Sequence, residues 1–396
     1  MRSSVKILFM IGQFPPYVGG AEMQARRLAV ALVKKGAEVT VLTSRIRGTV
    51  VTKPQALFDE EEGVRVHRLS APGFGRIKML ALCFRMFREA VKIGKGVDLL
   101  HLHQGSYPAY AGIMAASVLK KPSIVKMGSA GESRFDLEIL AQSFPLGLGR
   151  QMASTIVSKA TRFVLLNEQV KRDLLRWGAD SDRMLAIPNG VEIPERAWTM
   201  DTKTFQERVL LTKPQTLHAP VFLCVGNLLE RKNHALVLEA VRILKIKGIR
   251  VILVILGEGP HRNILEKKAD DWEIRDQLRF EGTVANVSDY LYAADGFVLP
   301  SMTEGMSNAL LEAMALGLPC LVSDVPGNRA VVKENETGLV FALGNAEALA
   351  DKMRSVLHDK NAMIRMGQAA RKEMKERFAM DVVAEQYLRL YRNILP

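Results

Sequence analysis

The run from Leu299 to Gly317, LPSMTEGMSNALLEAMALG, constrains the fold more than any other part of the chain. The apolar segment that ends at Leu299 is typical of a buried strand, and Pro300 stops its hydrogen-bond ladder because proline has no amide proton to donate. A helix then begins at Ser307 or Asn308, either of which is a good N-cap, and Gly317 ends it. The positive end of the helix dipole therefore meets a loop of small residues, which is a geometry that binds anions.

Two carboxylates flank this predicted anion site. Glu304 lies in the loop, and Glu312 lies one helical turn beyond Asn308 and so on the same side of the helix. A carboxylate accepts hydrogen bonds from hydroxyl groups but cannot itself be a ligand of a phosphate. Either glutamate alone is typical of a solvated surface residue. Together with the terminated strand and the capped helix, the pair favours a site that binds sugar hydroxyls on either side of a diphosphate.

The rest of the chain alternates strands and helices, and the second half repeats the plan of the first. This alternation predicts an α/β fold of two Rossmann-like domains, each with a parallel sheet that binds ligands at the carboxyl ends of its strands. We expect an N-terminal domain over residues 1–195, a linker over 196–219, a second domain over 220–375 and a last helix over 376–396. The predicted strands are Val5–Met10, Val39–Thr43, Val64–Leu69, Asp98–His101, Ser123–Lys126, Arg162–Leu166, Val221–Val225, Val251–Leu256, Arg279–Glu281, Phe297–Leu299 and Cys320–Val322.

Composition excludes several other classes of protein. The chain has 396 residues, of which 48% are apolar and 24% charged, and this length favours two globular domains. No apolar run is long enough to span a bilayer, and the first strand follows the N-terminus without a signal-peptide pattern, so we expect a cytoplasmic protein. Cys83, Cys224 and Cys320 have no paired spacing, which predicts reduced core residues and neither a disulfide framework nor a zinc site.

The net charge of +13 needs an explanation, and binding to an anionic partner is one. Nucleic acid is disfavoured because the basic residues are spread out and aromatic residues make up only 6% of the chain. Phosphate-rich small molecules and an anionic membrane surface remain. The stretch 76–95 carries six Lys or Arg against one Glu, and it is either a basic helix lying on an anionic membrane or a domain helix whose apolar stripe faces the sheet. The apolar residues at helical spacing are Ile77, Leu80, Ala81, Phe84, Phe87 and Val91.

The segment EGMSNALLE, with seven residues between its two glutamates, resembles the signature of the retaining glycosyltransferases of the family 4 type. Further motifs agree with this family, and the resemblance covers nearly the whole chain. It implies the GT-B fold, in which two Rossmann-like domains face a cleft and the last helix, 376–396, crosses back to the first domain. It also implies a nucleoside diphosphate sugar as donor and a glycan or lipid-linked hydroxyl as acceptor. Bacterial polysaccharide or lipopolysaccharide assembly is the expected setting, without a cofactor. The agreeing motifs are GGAE at 19–22, IPNGV at 187–191, VG at 225–226 with RKN at 231–233, GEGP at 257–260 and AAD at 293–295.

The resemblance also implies roles for individual residues. Glu312 would hold the ribose and Glu304 the donor sugar, while Lys232 and backbone amides stabilise the leaving diphosphate. Similar enzymes have arginine where this chain has Asn227, so Arg231 would compensate. The amide-bearing residues are Gly305, Met306, Ser307 and Asn308, and the donor-side glycines of the first domain are Gly19 and Gly20.

Two further features of the first domain need interpretation. His101 and His103 lie on one face of a strand, but no acidic or cysteine cluster accompanies them, so we expect no metal site. His103 is either an acceptor-side residue or a satisfied core histidine. Met127 stands where family members often have histidine, and Lys126 or the loop after it would then contact the donor sugar. The Asp-Ser-Asp segment at 180–182 is interpreted as a turn and not as a metal ligand pair.

Three other functions compete with this interpretation. A nucleotide-sugar epimerase or hydrolase with the GT-B fold would share the same donor motifs. An NAD-dependent oxidoreductase would share the alternating fold, but the first strand is not followed by GxGxxG. A membrane-binding scaffold without catalysis would account for the charge, and the intact glutamate pair argues against it.

Overall fold

The computed structural model describes residues 4–16, 19–45, 56–70, 75–128, 135–199 and 219–396. The chain divides into two compact units, unit 1 with Met1–Gly190 and Met380–Pro396 and unit 2 with Val191–Ala379. Most of the predicted linker, residues 200–218, lies outside the described residues, as do residues 129–134 of the loop after Met127. Both units are α/β with a largely parallel sheet, which confirms the fold class predicted from the alternation.

In the described part of unit 1, eight strands form one sheet in the order β3-β4-β2-β1-β5-β6-β7-β8. All neighbouring strands are parallel except β3 and β4, which pair antiparallel. The sequence did not predict β3, because its residues FDEE lack the apolar pattern of a buried strand. The strands are β1 Lys6–Met10, β2 Glu38–Arg45, β3 Phe58–Glu61, β4 Val64–Ser70, β5 Leu99–His103, β6 Ser123–Lys126, β7 Arg162–Leu165 and β8 Met184–Ala186.

Helices cover both faces of this sheet, as a parallel sheet requires. One face packs on α2, α3 and α5, and the other on α1 and on the last helix of the chain, Met380–Ile394, which belongs to unit 1. The other helices of unit 1 are α1 Gly20–Lys34, α2 Arg76–Gly94, α3 Tyr107–Leu119, α4 Asp136–Ser143, α5 Leu148–Lys159 and α6 Glu168–Arg176.

A buried polar cluster joins the last helix to the sheet. His101 Nδ1 lies 2.6 Å from the Tyr391 hydroxyl, and the rings of His101 and His103 stack with centroids 4.4 Å apart. Lys126 Nζ donates to Asn189 Oδ1 at 2.8 Å. Burial, reinforced by the Lys126 charge, lowers the pKa of both histidines well below the usual value, and burial lowers the pKa of Lys126 to about 8. Both imidazoles are therefore neutral in the folded unit at neutral pH.

Unit 2 contains a six-stranded sheet in its described residues, with all strands parallel in the order β11-β10-β9-β12-β13-β14. Its strands are β9 Val221–Val225, β10 Ile252–Leu256, β11 Leu278–Gly282, β12 Gly296–Leu299, β13 Cys320–Ser323 and β14 Leu339–Phe341. Its helices are α7 His234–Ile246, α8 Arg262–Asp271, α9 Val287–Ala293, α10 Asn308–Leu316, α11 Pro326–Arg329, α12 Ala346–His358 and α13 Lys360–Glu373.

The strand, loop and helix predicted around residues 299–317 are confirmed. The Ser307 side chain accepts a hydrogen bond from the Leu310 amide and caps α10, which ends where Gly317 adopts the left-handed conformation with φ +86. Leu310, Leu311 and Met314 are buried. The helix therefore buries its apolar face and directs its capped N-terminus to the loop that contains Glu304.

The basic helix α2 buries a different face from the predicted stripe. Leu82, Cys83, Met86 and Ala90 are buried in the core, and Phe87 and Val91 pack partly against it. Three members of the predicted stripe are exposed instead, with Phe84 at 60% exposure, and they are Leu80, Ala81 and Phe84. Of the two alternatives for this helix, the one in which the stripe faces the sheet is therefore wrong for these three residues, because α2 has apolar residues on more than one side and buries another.

Two further findings concern the cysteines and the length of the apolar helices. The three cysteines are free and buried. Within the described ranges, no helix combines the length and the apolar character that crossing a bilayer would need.

The buried histidines make unit 1 sensitive to acid. The unfolded chain takes up a proton on each histidine as the pH falls below about 6.5, whereas the folded unit keeps both neutral. The contribution of the two neutral histidines to the free energy of unfolding is therefore fully present above pH 6.5. Below that pH the free energy of unfolding falls by about 1.4 kcal/mol per pH unit for each histidine. Lys126 stays protonated throughout this window and adds no proton uptake. We expect the double variant His101→Gln, His103→Gln to lose less melting temperature between pH 7 and pH 5 than the parent does.

The matched control is His358→Gln, which changes an exposed histidine of α12. Melting curves at pH 7, 6 and 5 for the three proteins provide the measurement. An equal pH dependence in the double variant and the parent would contradict the assignment of buried neutral histidines.

Candidate functional site

Glycines bring three strand ends of unit 2 into backbone contact. A Cβ atom at Gly257 would lie 2.1 Å from the Gly226 carbonyl oxygen, and one at Gly259 would lie 2.5 Å from the carbonyl oxygen of Leu228. The Gly257 amide donates to the Gly282 carbonyl at 2.7 Å. The loops after β9 and β10 can approach this closely only because these glycines carry no side chain.

The loop after β9 continues through a short 3₁₀ turn, Glu230–Lys232, into helix α7. The Leu228 amide donates to the Glu258 carbonyl at 2.9 Å and so fixes the start of the loop. The Arg231 carbonyl accepts from the Met302 amide at 2.8 Å. This bond joins the loop after β9 to the loop after β12, which contains Glu304.

The two loops meet in an ion pair between predicted site residues. Lys232 Nζ lies 2.5 Å from Glu304 Oε1, and the side chains are only 14% and 8% exposed. Such a short, charge-assisted contact is stronger when it is shielded from water. The backbone of Glu304 packs on Gly327, where a Cβ atom would lie 2.2 Å from the Glu304 carbonyl oxygen. The carboxylate is therefore carried by a constrained loop.

The N-terminus of α10 completes the group. Met306 and Ser307 are buried, and Gly305, Asn308 and Glu312 are half-buried. Glu312 lies one turn after Asn308 on α10, as the spacing predicted. Unit 2 thus brings the predicted residues Arg231, Lys232, Glu304 to Asn308 and Glu312 to one edge of its sheet, where a cation, two carboxylates and the positive end of a helix dipole lie together.

The sequence interpretation missed the residues that support this edge. Ser323 Oγ donates to the Ser301 carbonyl at 2.6 Å, and Asn328 Nδ2 donates to the Ser323 carbonyl at 2.9 Å. The first bond holds the start of the loop after β12 against β13, and the second holds α11 against the end of β13. The sequence signal for these supporting residues was the Pro-Gly pair at 326–327, which predicts a turn. Its contact with Glu304 could not be predicted, because that contact depends on the tertiary fold.

His234 is a second residue that the sequence interpretation missed. It is buried at the first position of α7, beside Lys232. Burial lowers its pKa to about 4, with contributions from the charges of Lys232 and His261. His234 is therefore neutral at pH 7, so Lys232 supplies the positive charge at this point of the site.

The predicted residues of unit 1 lie near the carboxyl ends of its strands or are buried in its core. Gly19 precedes helix α1 in an extended conformation, and its carbonyl accepts from the Met23 amide at 3.0 Å. His103 is 3% exposed and packs on Phe9 and His101, and its acceptor-side role stays a prediction. Met127 is fully buried, and Lys126 is occupied by Asn189.

Metal-binding geometry is not found among the residues that the structure describes: no group of three or more His, Cys, Asp or Glu side chains could hold an ion. The Asp180 side chain accepts from the Asp182 amide at 3.0 Å, at the start of a 3₁₀ turn. This contact confirms that the Asp-Ser-Asp segment forms a turn.

Family models match both halves of the chain. Residues 19–190 match the glycosyl transferase 4-like domain, and residues 212–373 match the glycosyl transferases group 1. The two matches correspond closely to unit 1 and unit 2.

Individual proteins agree with these models. The chain is 30% identical over 204 residues to the UDP-Gal:alpha-D-GlcNAc-diphosphoundecaprenol alpha-1,3-galactosyltransferase of Escherichia coli, covering 50% of this chain and 52% of that protein. It is 30% identical to the lipopolysaccharide core biosynthesis glycosyltransferase LpsE of Rhizobium meliloti strain 1021, covering 43% of this chain and 49% of that protein. The chain thus spans about half the length of these curated relatives. The crystal structure of Anabaena HepE in complex with UDP and glucose has a TM-score of 0.77 at 15% identity, covering 98% of this chain and 100% of that one.

The close backbone contact at Gly257 generates a prediction about folding. Gly257→Ala would put a Cβ atom against the Gly226 carbonyl at a residue with φ +134, and the clash and the backbone strain together should cost at least about 3 kcal/mol. We expect a clearly lower melting temperature for unit 2. The control is Gly248→Ala, at φ +74 with open space around it, which should cost only about 1 kcal/mol. Equal melting temperatures for the two variants would show that the loops after β9 and β10 are not in this contact.

Proposed function

Because the chain belongs to the glycosyltransferases of the family 4 type, which have the GT-B fold, we propose that it is a retaining, metal-independent enzyme. It transfers a sugar, such as a hexose, from a nucleoside diphosphate sugar to a hydroxyl group of a glycan or lipid-linked acceptor. In this reaction the bond between the anomeric carbon and the diphosphate breaks, a bond from that carbon to the acceptor oxygen forms, and the acceptor proton leaves with the diphosphate.

The observation that carries the proposal is the ion pair between Lys232 and Glu304 beside the capped N-terminus of α10. A departing diphosphate develops negative charge, and preorganised positive groups lower the barrier for its departure. Lys232 and the first turn of α10, residues 305–308, are positive groups of this kind. Arg231 adds a second cation beside Lys232, where Asn227 is exposed and uncharged.

The two glutamates would bind the neutral parts of the donor. Glu312 accepts hydrogen bonds from the ribose hydroxyls, and Glu304 accepts them from the donor sugar. In unit 1, Gly19 and Gly20 would allow close approach of the donor, and His103 would act on the acceptor side, although its burial limits it to contact through a neighbouring group.

The relatives indicate the class of acceptor. The Escherichia coli relative is named for a diphosphoundecaprenol-linked acceptor, and LpsE is named for lipopolysaccharide core biosynthesis. We therefore propose that this enzyme acts in the assembly of a bacterial cell-surface polysaccharide or lipopolysaccharide, at the inner face of the cell membrane.

Removing the cation tests the proposed chemistry. Lys232→Ala should lower kcat about a hundredfold or more, because single electrostatic contacts to developing charge have effects of this size. The donor is first identified by a thermal-shift screen of UDP-, GDP- and ADP-sugars, and turnover is then followed as release of nucleoside diphosphate.

Glu312→Ala should instead lose nucleotide binding while the protein still folds, because Glu312 is proposed to accept hydrogen bonds from the ribose. Calorimetry with the nucleotide measures this loss.

The matched control for this experiment is Lys360→Ala, an exposed lysine at the start of α13, which should keep full activity. An unchanged kcat in Lys232→Ala would contradict the proposed role of the cation. Product analysis with and without an acceptor separates transfer from hydrolysis or epimerisation of the donor.

The distribution of charge supports a position at the membrane. Unit 1 contains 30 Lys and Arg against 17 Asp and Glu, whereas unit 2 contains 25 of each. The excess of 13 in unit 1 equals the +13 of the whole chain. An excess of positive charge on one unit attracts that unit to an anionic surface, whereas an equal net charge on both units would not orient the protein.

Helix α2 is the surface best suited to this contact. Its solvent side presents Leu80 and Phe84, with exposures of 37% and 60%, among the exposed cations Arg85, Arg88 and Lys92. Apolar side chains enter the lipid interface, and each cation near anionic headgroups contributes on the order of 1 kcal/mol. We propose that this face of α2 holds the enzyme on the anionic leaflet where a lipid-linked acceptor lies.

Charge reversal on α2 tests the membrane proposal. The triple variant Arg85→Glu, Arg88→Glu, Lys92→Glu should no longer co-sediment with phosphatidylglycerol vesicles at low salt, and the parent should dissociate from them as salt rises. The control makes the same change of charge on unit 2, with Lys267→Glu, Lys360→Glu and Lys375→Glu, and should still sediment. Equal sedimentation of the triple variant and the parent would exclude α2 as the attachment.

A further inference from the structure

We infer that Glu304 also discriminates the nucleoside diphosphate sugar from the free nucleoside diphosphate, because it competes with the diphosphate for Lys232. This inference rests on the proposed function, in which Lys232 contacts the diphosphate and Glu304 contacts the donor sugar. The carboxylate would thus favour binding of the substrate and release of the product.

For a diphosphate oxygen to replace Glu304 as the nearest anion of Lys232, one partner of the ion pair must move. Lys232 Nζ lies 2.5 Å from Glu304 Oε1 in the structure. The side chain of Glu304 is short and its loop packs on Gly327. The ammonium group of Lys232 lies at the end of a flexible four-carbon chain. The Lys232 side chain is therefore the partner that moves when a diphosphate binds at this site.

Transfer of the lysine leaves the carboxylate without its cation. At 8% exposure, Glu304 has little access to water, and a shielded carboxylate without hydrogen-bond donors is costly. The hydroxyl groups of a donor sugar supply those donors. A nucleoside diphosphate lacks these sugar hydroxyl groups, so its binding costs the ion pair and returns no hydrogen-bond donor to Glu304.

The carboxylate also repels the diphosphate directly. Two negative groups that approach the same ammonium group from a small separation destabilise each other, and more strongly in a shielded site. Both effects weaken binding of the free nucleoside diphosphate and act less on the sugar nucleotide. Glu304 is then a specificity-determining residue as well as a sugar ligand.

The neutral isostere gives a result that a simple sugar ligand would not. Glu304→Gln should bind the free nucleoside diphosphate about tenfold more tightly than the parent, because close charge pairs in shielded sites couple by at least this amount. Its turnover should fall, and the ratio of its affinities for sugar nucleotide and nucleoside diphosphate should fall with it. UDP, GDP and ADP are titrated by calorimetry, and the tightest of the three is used with its glucose conjugate.

Two further variants make the experiment decisive. Glu304→Asp keeps the charge but shortens the side chain, so it should show no gain in affinity for the nucleoside diphosphate. Glu336→Gln neutralises an exposed carboxylate of unit 2 and should bind as the parent does. Melting curves check that each variant folds, and Glu304→Ala replaces Glu304→Gln if the latter does not.

The possible failures are distinguishable. If the parent binds one of the diphosphates and Glu304→Gln binds it equally or more weakly, the inferred competition is wrong and the proposed function stands. If the parent binds none of the three, the proposed function is wrong and the inference falls with it.

Discussion

Two loops at the carboxyl edge of the unit 2 sheet lie closer together than side chains would allow. Gly257 and Gly259 have the backbone carbonyls of Gly226 and Leu228 where other residues would have a Cβ atom. This contact fixes the path of the chain from β9 to Lys232, and the bond from the Met302 amide to Arg231 carries the same constraint to the loop after β12. The ion pair at the site therefore depends on the absence of side chains several residues away.

The two units use charge in different ways. Unit 2 has as many acidic as basic residues, and its site arranges single charges at short distances around one helix terminus. Unit 1 carries the whole net charge of the chain, and on α2 this charge surrounds exposed apolar side chains. Short-range pairing suits recognition of one small ligand, whereas an excess of one sign acts over a Debye length and suits attraction to a surface.

Local signals explain how much of this could be predicted from the sequence. The bounds of α10 were predicted correctly, because its cap, apolar spacing and terminal glycine all lie within the helix and its neighbours. Strand β3 was missed because its pairing with β4, and not its own residues, makes it a strand. The contact between Lys232 and Glu304, 72 residues apart, follows from strand order, which the sequence alone does not give. The sequence left open which side of α2 is buried, because periodicity cannot choose between two apolar sides.

The division of unit 1 into two segments has a consequence for synthesis. Tyr387 and Tyr391 complete the core beside His101, yet the ribosome makes them only after all 189 residues of unit 2, Val191–Ala379. At about 5–20 residues per second, the first segment waits roughly 10 to 40 seconds for its last core helix. During that time the sheet face that includes Phe9 and His101 has no covering from this helix. Unit 2 is contiguous, so its synthesis is complete before that of unit 1, which is the reverse of the order in which the two units begin along the chain.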